Sequence, residues 1–216
     1  MAAAIIFAAA PLEPTPRLRA RLSEVDKPYV VAADRGAATA LAFGLAPNLV
    51  IGDLDSIDAE TLKELERRGT SIETYPRDKD VSDSQLAVDR ALERNPEHAL
   101  LLGFLGGPRL DHALANVHLL TRVPTRALLL DADNECTLVR PGEEYTWGTE
   151  PEEVISLIPL SAQAEGVCTR GLRWALNGEA LELGDTRGIS NEPVAEQAGV
   201  SIDGGLLLVT RHFSSV

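Results

Sequence analysis

The chain has 216 residues, 44% hydrophobic but only 4% aromatic, and its 20 basic residues face 33 acidic ones for a formal net charge of -13. So negative a chain argues against general binding to nucleic acid or to an anionic membrane, and a phosphate ligand would have to arrive with a cation. The length suits one domain or two modest ones burying roughly 70% of the unfolded chain's surface, and no long polar tract points to disorder.

Taken in order, Ala4 to Ala9 reads as a buried strand, which Pro11 to Pro16 breaks before an amphipathic helix from Arg17 to Val25. No basic residue precedes the opening apolar run, so it is read as a strand and not as a secretory signal. Tyr29 to Ala33 forms a second apolar run, ending at Asp34-Arg35-Gly36 and entering a strong helix former, Ala37 to Phe43, closed by Gly44. Leu49 to Ile51 is a third strand, which ends at Gly52 and delivers Asp53 and Asp55 ahead of Ser56. A helix from Ala59 to Arg68 stops at Gly69, and Ser71 to Tyr75 reads as another strand. The polar loop Pro76 to Asp80 then leads to Ser82-Asp83 and a helix with Leu86, Ala87 and Ala91 on its apolar stripe. His98 to Phe104 runs into Gly106-Gly107-Pro108-Arg109-Leu110-Asp111-His112 and a helix carrying Leu114, Val117 and His118.

Ala127 to Leu130 is a sixth apolar run, and Asp131 and Asp133 beyond it read as turn residues. This alternation predicts an α/β fold: an N-terminal three-layer α/β/α domain with a mostly parallel sheet. After Pro141-Gly142 the short runs Val154 to Leu160, Gly171 to Leu176, Glu179 to Leu183 and Leu206 to Thr210 predict a C-terminal all-β, sandwich-like domain. The boundary is expected between Asn134 and Pro141, dividing residues 1–136 from 137–216. Cys136 and Cys168 have neither zinc-site spacing nor the density of a disulfide scaffold, so buried free thiols are expected. No run reaches membrane-spanning length, and a cytoplasmic location is the expectation.

Four strand-to-helix junctions carry acids: Asp34, Asp53 with Asp55, Asp80 with Asp83, and Asp111. Ligands of an open parallel sheet bind beyond the carboxyl ends of its strands. Two carboxylates one residue apart repel unless a proton or cation intervenes, and hard oxygen donors suit Mg²⁺. Gly-Asp-x-Asp-Ser equally describes a turn followed by a helix cap, and Asp83 in a helical first turn is favoured by the macrodipole alone. Recurrence at four strand ends favours the metal-phosphate reading.

The ordered set AADRGA, PNLVIGDLDS, KDVSD and GGPRLDHALAN, followed by GLRWAL, GISNE and LLLVTRHF, resembles the thiamine pyrophosphokinase family. The resemblance runs from about Val30 to Phe213. It implies transfer of a pyrophosphoryl group from ATP to thiamine, giving thiamine diphosphate and AMP, on an α/β domain followed by a β-sandwich. It also implies a homodimer with active sites at the protomer interface. By match of motif, Asp53, Asp55 and Asp83 are the expected Mg²⁺ ligands and, with Asp111, the catalytic residues. Asp34, Lys79, Asp80, Ser82, Arg109 and Asn116 are expected at the nucleotide, and Asp111, His112, Trp174, Ser190 and Asn191 at thiamine. An indole such as Trp174 attracts a cationic thiazolium by ~0.5 to 2 kcal/mol.

The residues leave other readings open. Lys79 suits either a phosphate or a solvated charge run, His112 and His118 either a site or helix packing, and Trp174 either a pocket or the core of the sandwich. Three departures from the family pattern stand out: Arg35 in place of a glycine, Pro108 ahead of Arg109, and Ala8-Ala9-Ala10 in place of a glycine-containing turn. Two other activities are compatible with the same acids, a Mg²⁺-dependent nucleotide or pyrophosphate hydrolase and a non-catalytic thiamine- or nucleotide-binding homologue.

Overall fold

The structure, a computed structural model, describes residues 3–213 and divides into two units that meet between Ala132 and Asp133. In the first unit, five helices alternate with six strands: β1 (Ala3–Phe7), α1 (Pro16–Ser23), β2 (Tyr29–Ala33), α2 (Gly36–Ala42), β3 (Leu49–Gly52), α3 (Ala59–Arg67), β4 (Ser71–Thr74), α4 (Asp83–Leu92), β5 (His98–Leu102), α5 (Leu110–Leu119) and β6 (Arg126–Leu130). No helix among the described residues is long and apolar enough to cross a membrane.

The six strands lie in the order β4-β3-β2-β1-β5-β6, and every neighbouring pair is parallel. Parallel strands joined by crossover helices are covered on both faces and therefore read as unbroken apolar runs. All five residues of β1 are buried accordingly. Ile5, Phe7, Val30, Ala32, Val50, Leu100 and Leu102 form one core with Leu18 and Leu22 of α1 and Leu65 of α3.

Helix starts are set by local capping. Thr15 accepts a hydrogen bond from the Leu18 amide ahead of Pro16, Asp58 from the Glu60 and Thr61 amides, and Ser82 from the Gln85 amide. These caps end the loops that leave β3 and β4, and so fix the position of the acids on them. Strand order reverses at β1: β2 to β4 follow on one side and β5 and β6 on the other. That reversal leaves a crevice beyond the carboxyl ends of β1 and β5.

In the second unit, β7 (Asn134–Val139), β13 (Leu207–His212) and β9 (Val154–Pro159) pair antiparallel in that order. A second antiparallel sheet has the order β11-β10-β12-β8, from β11 (Asn177–Glu182), β10 (Gln163–Arg170), β12 (Gln197–Ser201) and β8 (Glu144–Gly148). Val139, Ile155, Leu157, Leu207 and Val209 of the first set pack on Tyr145, Trp147, Ala164, Val167, Leu181, Ala198 and Val200 of the second. This is the expected sandwich.

Three local expectations differ. The junction expected after residue 136 falls inside β7, since Asn134–Val139 is one strand. Gly171 to Leu176 is not a strand: only Leu172 makes a bridge, to Pro193. Gly171 sits at positive φ (69°), where a Cβ would overlap the Gln197 carbonyl, so the chain turns there. Cys136 is buried but Cys168 is exposed: β10 is irregular between Ala164 and Val167, so Val167 faces inward and the next residue, Cys168, outward.

Candidate active site

The acids collect where β2, β3 and the loop into α4 end. Asp34 leaves β2 with φ 46°, and its amide donates to the Ile51 carbonyl (2.9 Å). Its Oδ1 accepts a long hydrogen bond from the Leu54 amide (3.5 Å). That carboxylate lies over Gly52, where a Cβ would collide with it, so the glycine ending β3 is required by close approach. Leu54, between Asp53 and Asp55, is likewise held at φ 62°. Non-glycine residues forced into this region store strain of order 1–3 kcal/mol and cluster at functional sites.

The carboxylates sense one another. Burial, then the charge of Asp83, and further that of Asp53, push the Asp34 carboxyl up to about 6. Asp53 accepts from the Asp55 amide (3.2 Å), which lowers its pKa, while sharing a hydrogen bond with Asp53 and facing its charge raise that of Asp55. Asp83 has Lys79 Nζ at ion-pair distance (3.2 Å from Oδ1), yet that buried oxygen accepts no hydrogen bond. Lys79 instead donates to the Pro76 carbonyl (3.0 Å). Among the described residues no three His, Cys, Asp or Glu side chains are already arranged to hold a metal ion. The donor chemistry nonetheless fits a hard divalent cation: oxygen ligands, mutual repulsion and a buried acceptor left open.

A cavity of about 260 Å³ occupies the crevice where the strand order reverses. Ala9, Ala10 and Pro11 after β1, Arg35 after β2, and Gly103, Phe104, Gly106, Gly107 and Pro108 after β5 line it, with Ser84, Arg109, His112 and Asn116. Gly103 is needed here, since a Cβ would fall 2.6 Å from the Ala8 carbonyl oxygen. Buried Asn116 donates to the Phe104 carbonyl (2.8 Å), tying α5 to the loop after β5. Arg109 donates from Nε (2.9 Å) and Nη2 (2.5 Å) to the carboxylate of Asp111, which holds Asp111 down at about 2.

In the second unit, Leu157, Trp174, Ala175, Leu176, Arg187, Gly188 and Asn191 line a cavity of about 460 Å³. Asn191 shapes it by accepting from the Trp174 amide (3.1 Å) and donating to the Trp174 carbonyl (2.8 Å). The indole is 54% exposed, so Trp174 is not a core residue. Arg173 lies 5.1 Å from its ring centre.

Residues 22–129 match the family model described as thiamin pyrophosphokinase, catalytic domain, and residues 142–207 the model of the thiamin pyrophosphokinase vitamin B1 binding domain. The thiamine pyrophosphokinase of Bacillus subtilis (strain 168) is 32% identical over 184 residues, covering 84% of this chain and 86% of that protein. This chain belongs to the thiamine pyrophosphokinase family. The crystal structure of the Bacillus subtilis thiamine pyrophosphokinase superposes with a TM-score of 0.87 at 29% identity, over 99% of this chain and 100% of that one. That of the Geobacillus thermodenitrificans thiamin pyrophosphokinase gives 0.82 at 30%, over 100% and 99%. Membership in the thiamine pyrophosphokinase family carries the expected enzyme activity, that of a thiamine diphosphokinase.

Of the residues expected from the sequence, Asp34, Asp53, Asp55, Asp83 and Lys79 gather electrostatically at one edge, whereas Asp80 and Ser82 stand exposed, Ser82 as the cap of α4. Arg109, His112 and Asn116 line the crevice, with exposed Asp111 held through Arg109. Trp174 and Asn191 share a cavity. Ser190 does not line it: it forms a strained turn (φ 59°) whose amide donates to Ser156 Oγ (3.1 Å). His118 is exposed on α5. Sequence reasoning did not place Pro11, Ser84, Gly103 or Phe104 in a site, and met Arg35, Ala9 and Ala10 only as departures from the family pattern. Only the adjacency of β1 and β5, strands separated by some ninety residues, brings them together.

Proposed function

We propose that the chain transfers the pyrophosphoryl group of ATP to the hydroxyl of thiamine at the carboxyl edge of the parallel sheet. The observation that supports this most is the set of mutually repelling carboxylates from three strand ends, with Lys79 and Arg77 as the countercharges they sense. Asp53, Asp55 and Asp83 would hold Mg²⁺, which when bound neutralises phosphate charge and orients the polyphosphate. Strand ends and the Ser82 cap keep these oxygens poised, with Lys79 Nζ 3.2 Å from Asp83 Oδ1.

In the reaction, the thiamine hydroxyl oxygen bonds to the β-phosphorus, the bond from that phosphorus to the α,β-bridging oxygen breaks, and AMP leaves with that oxygen. The hydroxyl proton passes to a nearby acceptor, for which Asp111, kept ionised by Arg109, is the candidate on this chain. Such transfers need positioning and charge neutralisation more than a strong nucleophile. In the second unit the exposed Trp174 offers a π-face for the thiazolium, and Asn191 and the cavity walls fix its approach. We read the enzyme as a cytoplasmic homodimer with its sites completed at the protomer interface.

The deciding assay measures AMP release from ATP and Mg²⁺ with and without thiamine, and detects thiamine diphosphate by mass. One thiamine diphosphate per AMP, lost on adding a chelator and restored by Mg²⁺, is the expected result. Phosphate release indifferent to thiamine would replace this reading with the hydrolase, and ligand binding without AMP formation with the non-catalytic homologue.

A further inference from the structure

We infer that Arg35 binds the phosphate that stays with the nucleoside when the pyrophosphoryl group leaves. This rests on the reaction proposed above. Among the described residues the crevice beyond β1 and β5 is lined by two guanidinium groups, Arg35 and Arg109, and by no carboxylate. Arg109 is already committed, donating through two nitrogens to Asp111. Arg35 has no such partner: its side chain makes no hydrogen bond or ion pair among the described residues, in a chain with a net charge of -13. A guanidinium without a countercharge in a concave site is matched to an anion, and its planar fork fits phosphate oxygens.

The backbone that carries Arg35 is held firmly on both sides. Asp34 before it sits at φ 46°, and Gly36 after it packs so close to the Phe7 carbonyl that a Cβ would overlap. The Arg35 carbonyl accepts from the Ala38 amide (3.1 Å), and Arg35 itself has ordinary helical dihedrals. Its Cα is therefore fixed at the end of β1, and substituting the side chain leaves this frame intact.

Charge distribution selects which phosphate. Asp53, Asp55 and Asp83, the residues suited to a cation, do not line the crevice. The phosphates engaged through a metal thus belong at the acid edge, and the crevice is left for the remaining one. In pyrophosphoryl transfer that is the α-phosphate, which gains negative charge on its bridging oxygen as the bond breaks. A preorganised cation at that point stabilises the departing AMP. The cavity volume of about 260 Å³ lies just under the ~300–1,000 Å³ typical of whole small-molecule pockets, which suits one part of a nucleotide.

The test titrates AMP, without any divalent cation, into the full chain and into Arg35→Ala and Arg35→Lys, with adenosine and thiamine as controls and thermal melting to verify folding. Arg35→Ala should weaken AMP binding about tenfold or more, the range for a hydrogen bond to a charged group, while Arg35→Lys, which keeps the charge but not the fork, should weaken it less. Adenosine and thiamine binding should not change. In turnover, Arg35→Ala should lower kcat/KM for ATP by a similar factor at unchanged thiamine KM. AMP binding equal in wild type and Arg35→Ala, no measurable AMP binding by the wild type, or an equal loss for adenosine would each overturn the assignment. If the wild type makes no thiamine diphosphate, the proposed reaction fails, whereas the AMP titration still decides whether Arg35 binds phosphate.

Discussion

Two clusters in this molecule set carboxylates against cationic side chains to opposite ends. In the second unit, Glu135, Glu153 and Arg211 are buried together at 3%, 1% and 4% exposure. Arg211 donates to Glu153 (2.6 Å), to Glu135 (3.1 Å) and to the Gly148 carbonyl (3.1 Å), and its guanidinium lies between the rings of Trp147 and Phe213. Glu153 accepts further from Trp147 Nε1 (3.1 Å) and the Glu150 amide (2.9 Å). At the strand ends of the first unit, by contrast, four carboxylates share the nearby cations Lys79 and Arg77, and a buried oxygen of Asp83 accepts no hydrogen bond among the described residues. The first cluster has spent its hydrogen-bonding capacity within the protein and can only hold the fold. The second has kept its capacity open, and that is the condition for binding a cation and the phosphates it carries.

The sharpest way to break this contrast is to remove a carboxylate from each side. Glu153→Ala removes one of the two carboxylates paired with buried Arg211 and the acceptor of the Trp147 indole nitrogen, and should destabilise the fold by about 3–5 kcal/mol in denaturant unfolding. An unchanged midpoint would mean that the cluster does not hold the sandwich. Asp55→Ala should leave the melting temperature within the scatter of the wild type and lower turnover by about a hundredfold or more. Near-normal turnover would remove Asp55 from the cation site.

The smallest expected effect is at the exposed Arg109–Asp111 fork. Because Arg109 hydrogen bonding is the main cause that holds the Asp111 carboxyl at about 2, Arg109→Ala should return it toward the ordinary ~3.9 in an NMR titration. Stability should hardly respond, since solvent screens both groups. A titration that does not move would show that the fork is open in solution.

How much of this was legible beforehand differs by element. The alternation of Tyr29–Ala33, Leu49–Gly52 and His98–Leu102 with capped helices is local, so the α/β class and its helix starts could be read from periodicity. The β-rich half was harder. In β10 only Ala164 and Val167 are fully buried, and a register shift breaks the alternation that would have marked the strand. Gly171 to Leu176 looked like a strand because its apolar residues, Leu172 and Leu176, do enter the core, but from a turn.

The site divided along the same line. The sequence by itself determined the acids, their order and their place at strand ends, because each lies between its own strand and the helix that follows it, and Asp58 and Ser82 cap the helices after β3 and β4. Which acids feel one another, and that Asp34 is the one driven furthest up, was decided by the pairing of β2 with β3, which lays Asp34 over Gly52. The crevice was decided by tertiary structure alone. Its walls come from loops after β1, β2 and β5, and no local rule makes strands so far apart in the chain into neighbours. Arg35 looked from the sequence like a departure from a pattern. Only the parallel sheet, by closing a cavity around a cation with no partner among the described residues, turned it into a candidate ligand for phosphate.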